Sequence, residues 1–308
     1  MLESTLEPES LVPVADPCAN NDPCAELRCP APRWQPQAVP DGFTCSCSCR
    51  LAFVTNASTS RPPLHLHQSW KTTNFDEMDA NMVQGMRSWR AINPSLRQDI
   101  YDDQQASAFV RRHYPEWATL YFTGLKRAVE RADVFRYLVV HRHGGWWADA
   151  DTIARRPLTH LSGDLIVGRE PQSNADGFGV LQYFFGATPR HPFFVDYLLP
   201  IVARRIARRR DDRGMSSVLW ATGPLAFTAA YKHYVRDRAL ATGRDTRRAQ
   251  WHEKVLPTCA FGAWCFDCEA NGYRPYVEHR FLGSWKDAFV PGRNWSACAE
   301  RMGTSQRT

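Results

Sequence analysis

Short apolar runs and helix-spaced apolar positions take turns along residues 64 to 288 of this chain. The opening Leu64-His65-Leu66-His67 alternates apolar and polar side chains and predicts a first strand. A helix is expected from Asn74 to Arg90, a second strand over Arg97 to Tyr101, and a further helix from Gln104 to His113. Leu125, Val129, Ala132, Phe135 and Val139 recur at steps of three and four, which predicts a helix with one buried face. Gly144-Gly145 supplies the left-handed stop at which helices commonly end. Trp146-Trp147-Ala148 then reads as a short strand, the chain turns polar at Asp149, and another helix begins near Phe193. Strands alternating with helices in this way predict an α/β fold with a mixed, mainly parallel sheet flanked by helices.

Residues 1 to 60 show no such periodicity. They carry seven acidic and three basic side chains, a net −4, and subtracting that from the chain's +6 leaves +10 on residues 61–308. The expected organisation is an acidic tail with a small cysteine-rich segment over 1–60, followed by a basic globular domain over 61–308 whose partners are anionic. Cys18, Cys24, Cys29, Cys45, Cys47 and Cys49 crowd the first part, while Cys259, Cys265, Cys268 and Cys298 lie near the end. That density favours a disulfide framework in an oxidising compartment over a metal cluster. With Gly42 and Phe43 before Cys45, the spacing resembles the front of an EGF-like module, although Cys49 follows Cys47 too closely for the usual final loop. The sequons Asn56-Ala57-Ser58 and Asn294-Trp295-Ser296 fit a lumenal location. The first residues do not read as a secretory signal, and no apolar run approaches the roughly 18 to 20 residues that span a bilayer. Membrane association is therefore expected only through an anchor outside this sequence.

The candidate chemistry lies where the helix, the glycine stop and the strand run into Asp149-Ala150-Asp151. On an extended segment Asp149 and Asp151 face one side and Ala150 the other. In an open α/β sheet that side lies beyond the carboxyl ends of the strands, where ligands bind. Two carboxylates are suitable ligands for Mg²⁺ or Mn²⁺, ions that bridge protein and substrate phosphates. Alone, such a pair also describes a solvated turn, since turns favour aspartate.

The string Arg131-Ala-Asp133-Val-Phe-Arg136 through Gly144-Gly145-Trp-Trp-Ala-Asp149-Ala-Asp151-Thr152 resembles the central motif of glycosyltransferase family 32, the group of the yeast-type initiating α-1,6-mannosyltransferases. His67-Gln68-Ser69-Trp70-Lys71 is similar to that family's first strand and turn. Thr222-Gly223-Pro224 resembles its acceptor-side loop, and His279-Arg280-Phe281-Leu282-Gly283-Ser284-Trp285 its closing segment. The resemblance covers about 64 to 286 and implies a GT-A-type fold, a nucleotide-diphosphate sugar donor, Mn²⁺ or Mg²⁺, and transfer with retention. It implies metal ligation by Asp149, Asp151 and His279, and catalytic roles for Asp149, Asp151 and Arg136. Donor binding falls to Asp133, Arg136, His67, Trp70, Lys71, Ser284 and Trp285, and the acceptor side to Thr222, Gly223 and Pro224. Mannose from GDP-mannose is the first expectation, galactose or N-acetylglucosamine from UDP-linked donors the alternative. The acceptor is expected to be a glycan or glycolipid, and the compartment the Golgi or secretory-pathway lumen.

Rival readings attach to several of these residues. His65/His67 and His141/His143 are possible zinc pairs for a two-metal hydrolase, but His141 and His143 fall in one helical turn and point about 200° apart. A non-catalytic sugar- or nucleotide-binding protein is a second rival. Asp133 and Arg136 are compatible with an ordinary surface ion pair. Of the tryptophans, at most one of Trp146 and Trp147 is expected to face the donor, and Trp220 is assigned to the core. The run Arg204 to Arg210 reads as the solvated face of a helix, and it lacks the aromatic interleaving of a nucleic-acid platform, so no nucleic-acid partner is expected.

Overall fold

The computed structural model describes residues 34–41, 44–51, 60–171, 178–209, 214–240, 253–261, 275–280 and 282. Ser284, Trp285, both sequons and the side chains of all ten cysteines lie outside the described residues. The chain divides into two compact units, Met1–Asn56 with Ala239–Thr246, and Ala57–Arg238 with Arg247–Thr308. In the first unit, β1 (Trp34–Asp41) and β2 (Thr44–Leu51) form an antiparallel hairpin.

The second unit is built on a sheet of six strands. The first strand, β3, spans His65–Ser69, and β4 spans Arg97–Tyr101. They are followed by β5 (Gly145–Ala148), β7 (Leu165–Pro171), β8 (Phe178–Ala187) and β9 (Glu253–Leu256), in the spatial order β4-β3-β5-β8-β7-β9. The β3–β4, β3–β5 and β7–β9 pairings are parallel, while β8 runs antiparallel to both β5 and β7. The sheet is thus mixed and mainly parallel, as the alternation of strands and helices implies. Outside it, β6 (Thr152–Ala154) pairs antiparallel with β10 (Val277–His279).

The helices are α1 (Ala80–Ile92), α2 (Asp103–His113), α3 (Ala128–His143), α4 (Leu199–Ala207), α5 (Met215–Ala221) and α6 (Pro224–Leu240). Alternation of side chains along the strands gives the sheet two apolar faces. One face joins Trp147, Val167 and Phe185 to α3 and α6, and the other joins Leu66, Trp146, Ile166 and Phe184 to Trp89 of α1. Trp146 and Trp147 consequently fall in different cores. Among the described residues no helix is long and apolar enough to cross a membrane.

Four expectations change. The helix expected from Asn74 is two elements, a short 3₁₀ turn at Phe75–Glu77 capped by the Asn74 side chain, then α1, whose first turn is capped by Asp79. Two competing caps within six residues break what periodicity reads as continuous. Residues 133 to 140 of α3 are all buried, not one face of them, because the sheet lies on one side and α2 and α6 on others. The basic run is not simply solvated. Arg209 ion-pairs with the fully buried Glu130 at 2.6 Å, and Arg205 lies 5.0 Å above the Trp220 ring. Trp220 itself is 39% exposed, so it is not a core residue.

Candidate active site

β5 ends at Ala148, and the next residues form a tight turn. The Thr152 amide and hydroxyl both donate to the Asp149 carbonyl, over 3.1 and 2.6 Å. Gln68, at the end of β3, donates to the same carbonyl over 3.3 Å, and the Asp149 amide donates to Tyr183 O over 2.9 Å. Asp149 and Asp151 therefore converge through a hydrogen-bonded turn and not through the extended alternation expected of them. Ala150 does face away, buried against Met78 and Met86 with Trp70 beside them.

The β6–β10 pairing supplies the third member. It sets His279 opposite Thr152, and the Arg280 amide donates to Asp151 O over 2.9 Å. His279 Nε2 lies 3.1 Å from Asp151 Oδ1, and its ring stacks on Tyr183 with centroids 4.1 Å apart. One ligand atom from each of Asp149, Asp151 and His279 lies within 4.8 Å of the others.

α3 closes the site from behind. Arg136 reaches Asp133 at 3.0 Å and Asp149 at 3.2 Å, with its guanidinium 5.2 Å from the Trp147 ring. Trp147 Nε1 donates to Asp149 Oδ1 over 2.7 Å. Asp133 accepts from the Thr222 hydroxyl over 2.7 Å and from the Gln182 amide over 3.2 Å. Burial raises the Asp133 carboxyl to about 6 against the opposing pull of Arg136 and Thr222. Asp149 is likewise raised, by burial first and by the neighbouring Asp151, with Arg136 opposing. Burial works against the charge of Arg136, but Asp149 and Asp133 outweigh it and hold the guanidinium protonated.

Within this group three carboxylates face one guanidinium. A divalent cation offsets that surplus, and two carboxylates with an imidazole are a donor set that Mn²⁺ or Mg²⁺ accepts. The residues present therefore fit a metal ion at Asp149, Asp151 and His279.

Residues 79–170 match the family described as a glycosyltransferase sugar-binding region containing a DXD motif. Asp133, Arg136, Asp149 and Asp151 all lie within the matched span, while His279 is supplied from outside it. A mannosyl phosphorylinositol ceramide synthase of Saccharomyces cerevisiae is 27% identical over 185 residues, covering 59% of this chain and 44% of that protein. Inositol phosphoceramide mannosyltransferase 2 of Schizosaccharomyces pombe is 27% identical over 176 residues, covering 56% and 47%. An initiation-specific alpha-1,6-mannosyltransferase of Schizosaccharomyces pombe is 26% identical over 254 residues, covering 71% and 63%. The chain thus spans less than half the length of the first two relatives. Among solved structures, a PaToxG glycosyltransferase aligns with a TM-score of 0.42 at 19% identity, over 61% of this chain and 73% of that one.

Around this group the other expected residues take distinct places. Trp70 is half-buried, with Lys71 Nζ 5.5 Å above its ring, at the carboxyl end of β3. Thr222 is fully buried against Asp133, Gly223 approaches Leu219 too closely to accept a side chain, and Pro224 opens α6. Arg136, 5% exposed, contacts carboxylates and the Gln182 carbonyl, so its contacts are those of a residue holding Asp149 in place. His67 is fully buried and bonds the Gly144 carbonyl and Tyr101, away from the Asp149 turn. His141 and His143 diverge as expected, His141 to the Tyr114 hydroxyl at 2.6 Å and His143 to the face of His67.

Gln182 and Tyr183 were not singled out by sequence reasoning. Gln182 touches Asp133, Arg136 and the Tyr137 hydroxyl, and Tyr183 stacks on His279. The available signal is Gln182 itself, the one amide in the apolar strand Phe178–Ala187.

Proposed function

We propose that residues 61–308 form the catalytic domain of a retaining glycosyltransferase that moves mannose from GDP-mannose to a glycan or glycolipid acceptor, with Mn²⁺ or Mg²⁺ at Asp149, Asp151 and His279. The observation that carries this reading is the convergence of that triad with Arg136 and Asp133 at the carboxyl end of β5. Two of the three relatives are named as mannosyltransferases, one of them for inositol phosphoceramide, and the third as a mannosyl phosphorylinositol ceramide synthase, which favours mannose and admits a glycolipid acceptor. The cysteine-rich start supports a Golgi or secretory-lumen location.

Sugar transfer requires a nucleoside diphosphate to leave as positive charge develops at the anomeric carbon. A cation bound by the triad supplies Lewis-acid stabilisation of the departing phosphoryl oxygens, worth several kcal/mol. The chain's own residues set the stage. Arg136 and the Trp147 indole fix Asp149 from two directions, Asp133 holds Arg136, and Tyr183 holds the His279 ring. Lys71, exposed at the rim, adds positive charge for the diphosphate, with Trp70 beside it. Ser284 and Trp285 follow His279 closely in sequence and are assigned to the donor by the resemblance alone. The Thr222-Gly223-Pro224 loop borders the acceptor.

The test is calorimetry with GDP-mannose, UDP-galactose and UDP-N-acetylglucosamine, each with and without Mn²⁺, followed by assay of free nucleotide. The expected result is metal-dependent binding and turnover of GDP-mannose. Asp151→Asn is expected to lose Mn²⁺ binding and turnover while keeping its circular dichroism spectrum, and undiminished turnover in that variant would refute the metal assignment.

A further inference from the structure

A histidine cluster that the proposed transfer site does not use lies farther back along the same strands. His65 and His67 are two residues apart on β3, share one face, and have ring centroids 3.9 Å apart. Asp99 stands directly opposite His67 on the parallel strand β4 and brings Oδ2 to 2.8 Å from His65 Nε2. His143, in the last turn of α3, covers this face, its ring 5.9 Å from that of His67 and 6.1 Å from that of His65. One ligand atom each from His65, His67 and Asp99 lies within 4.8 Å of the others. The cluster is distinct from the acidic triad. His67 pairs with Trp147, short of the Asp149 turn, and His143 lies about 10 Å beyond Arg136 along α3 at 1.5 Å per residue.

The hydrogen bonds around it point to a cation. His67 Nε2 lies 3.0 Å from Gly144 O, and a carbonyl only accepts, so Nε2 carries the proton and Nδ1 presents a lone pair. The Tyr101 hydroxyl sits 3.3 Å from that Nδ1 and 3.4 Å from Asp99 Oδ2. It has one proton for two acceptors, and both contacts are at the long end of the hydrogen-bond range. The buried His67 nitrogen thus shares one weak donor with a carboxylate that already accepts from Arg97 and faces His65. An imidazole whose second nitrogen is anchored on a backbone carbonyl has the outer-shell support usual in metal-binding histidines.

We propose that His65, His67 and Asp99 hold a zinc ion, with the fourth position open on the His143 side. Two imidazoles and one carboxylate suit zinc, whereas the carboxylate-richer triad suits Mn²⁺ or Mg²⁺. Tetrahedral zinc sets its ligand atoms about 3.5 Å apart, so closure draws the cluster inward. It also releases Asp99 from Arg97, whose side chain is 71% exposed and free to swing into solvent. The ion would tie β3 and β4 together beneath the end of α3.

The test titrates the intact, metal-free chain with ZnCl₂ in a calorimeter, beside His65→Gln, Asp99→Asn and an Asp149→Asn/Asp151→Asn double variant. The expected result is one zinc equivalent that the double variant keeps and that His65→Gln and Asp99→Asn weaken at least tenfold. X-ray absorption at that equivalent is expected to show nitrogen and oxygen neighbours. Equal stoichiometry and affinity in the wild type and both cluster variants, or sulfur around the ion that those variants affect, would overturn the proposal. Because a cluster variant can lose its fold, imidazole ¹⁵N spectra of the wild type provide an independent measure. Two histidine rings are expected to shift on zinc addition, and spectra in which no ring shifts would also overturn it.

Discussion

Replacing Thr222 by valine removes one hydroxyl from a closed site and keeps the β-branched shape. The lost bond runs from Thr222 Oγ1 to Asp133 Oδ2 over 2.7 Å, between side chains 0% and 1% exposed. Burial raises the Asp133 carboxyl to about 6 from the usual 3.8, so it is ionised at pH 7.5 and largely protonated at pH 5. Because the folded value lies above the unfolded one, the contribution of Asp133 to stability is complete below pH 3.8 and is lost as pH rises through 6. Thr222 donates to the charged form and limits that loss. A bond to a charged group contributes about 1.5–3 kcal/mol and a neutral one about 0.5–1.5 kcal/mol. Thr222→Val is therefore expected to cost about 1.5–3 kcal/mol at pH 7.5 and about 1 kcal/mol at pH 5. Urea unfolding followed by tryptophan fluorescence, run as a double-mutant cycle with Asp133→Asn, measures both values. In the Asp133→Asn background the threonine substitution is expected to cost no more than a neutral bond. An effect equal at the two pH values and undiminished in that background would refute the assignment of a buried, charge-assisted bond.

Three further substitutions test how the proposed metal ligands are held. A Cβ at Gly85 in α1 would lie 2.6 Å from Thr152 O, so Gly85→Ala is expected to lower stability by about 1–3 kcal/mol despite the roughly 1 kcal/mol that alanine gains in a helix. Thermal unfolding checks this, and a raised midpoint would count against close packing of α1 on β6. Tyr183→Ala removes the ring stacked on His279 and is expected to weaken Mn²⁺ binding 10- to 100-fold by calorimetry. Tyr183→Phe keeps the ring and loses the 2.6 Å bond to Phe261 O, so it is expected to retain Mn²⁺ affinity while losing about 1 kcal/mol of stability. Equal Mn²⁺ affinity in both variants would remove Tyr183 from the support of the site.

The parts of this fold legible in the sequence are those whose cause is local. The strand at His65, the strand at Arg97, the glycine stop at Gly144 and the polar turn at Asp149 each follow from neighbouring residues, and each stands within a residue or two of its expected place. The Asp133–Arg136 pair follows from helical spacing, but spacing alone favours a surface ion pair of little worth. What buries the pair is the turn between α5 and α6 together with β8, whose Thr222 and Gln182 are 89 and 49 residues from Asp133. No periodicity around α3 carries that information, which is why a helix buried all round reads as amphipathic. Trp220 fails in the opposite direction. Large aromatic side chains are mostly buried, which assigns it to the core, yet its ring is 39% exposed beneath Arg205. The triad joins both kinds of cause. Asp149 and Asp151 are set by one turn, while His279 arrives through the β6–β10 pairing from 128 residues beyond Asp151. A metal site assembled this way exists only when both the turn and the pairing are formed, so an ion bound there would also tie β10 to the Asp149 turn.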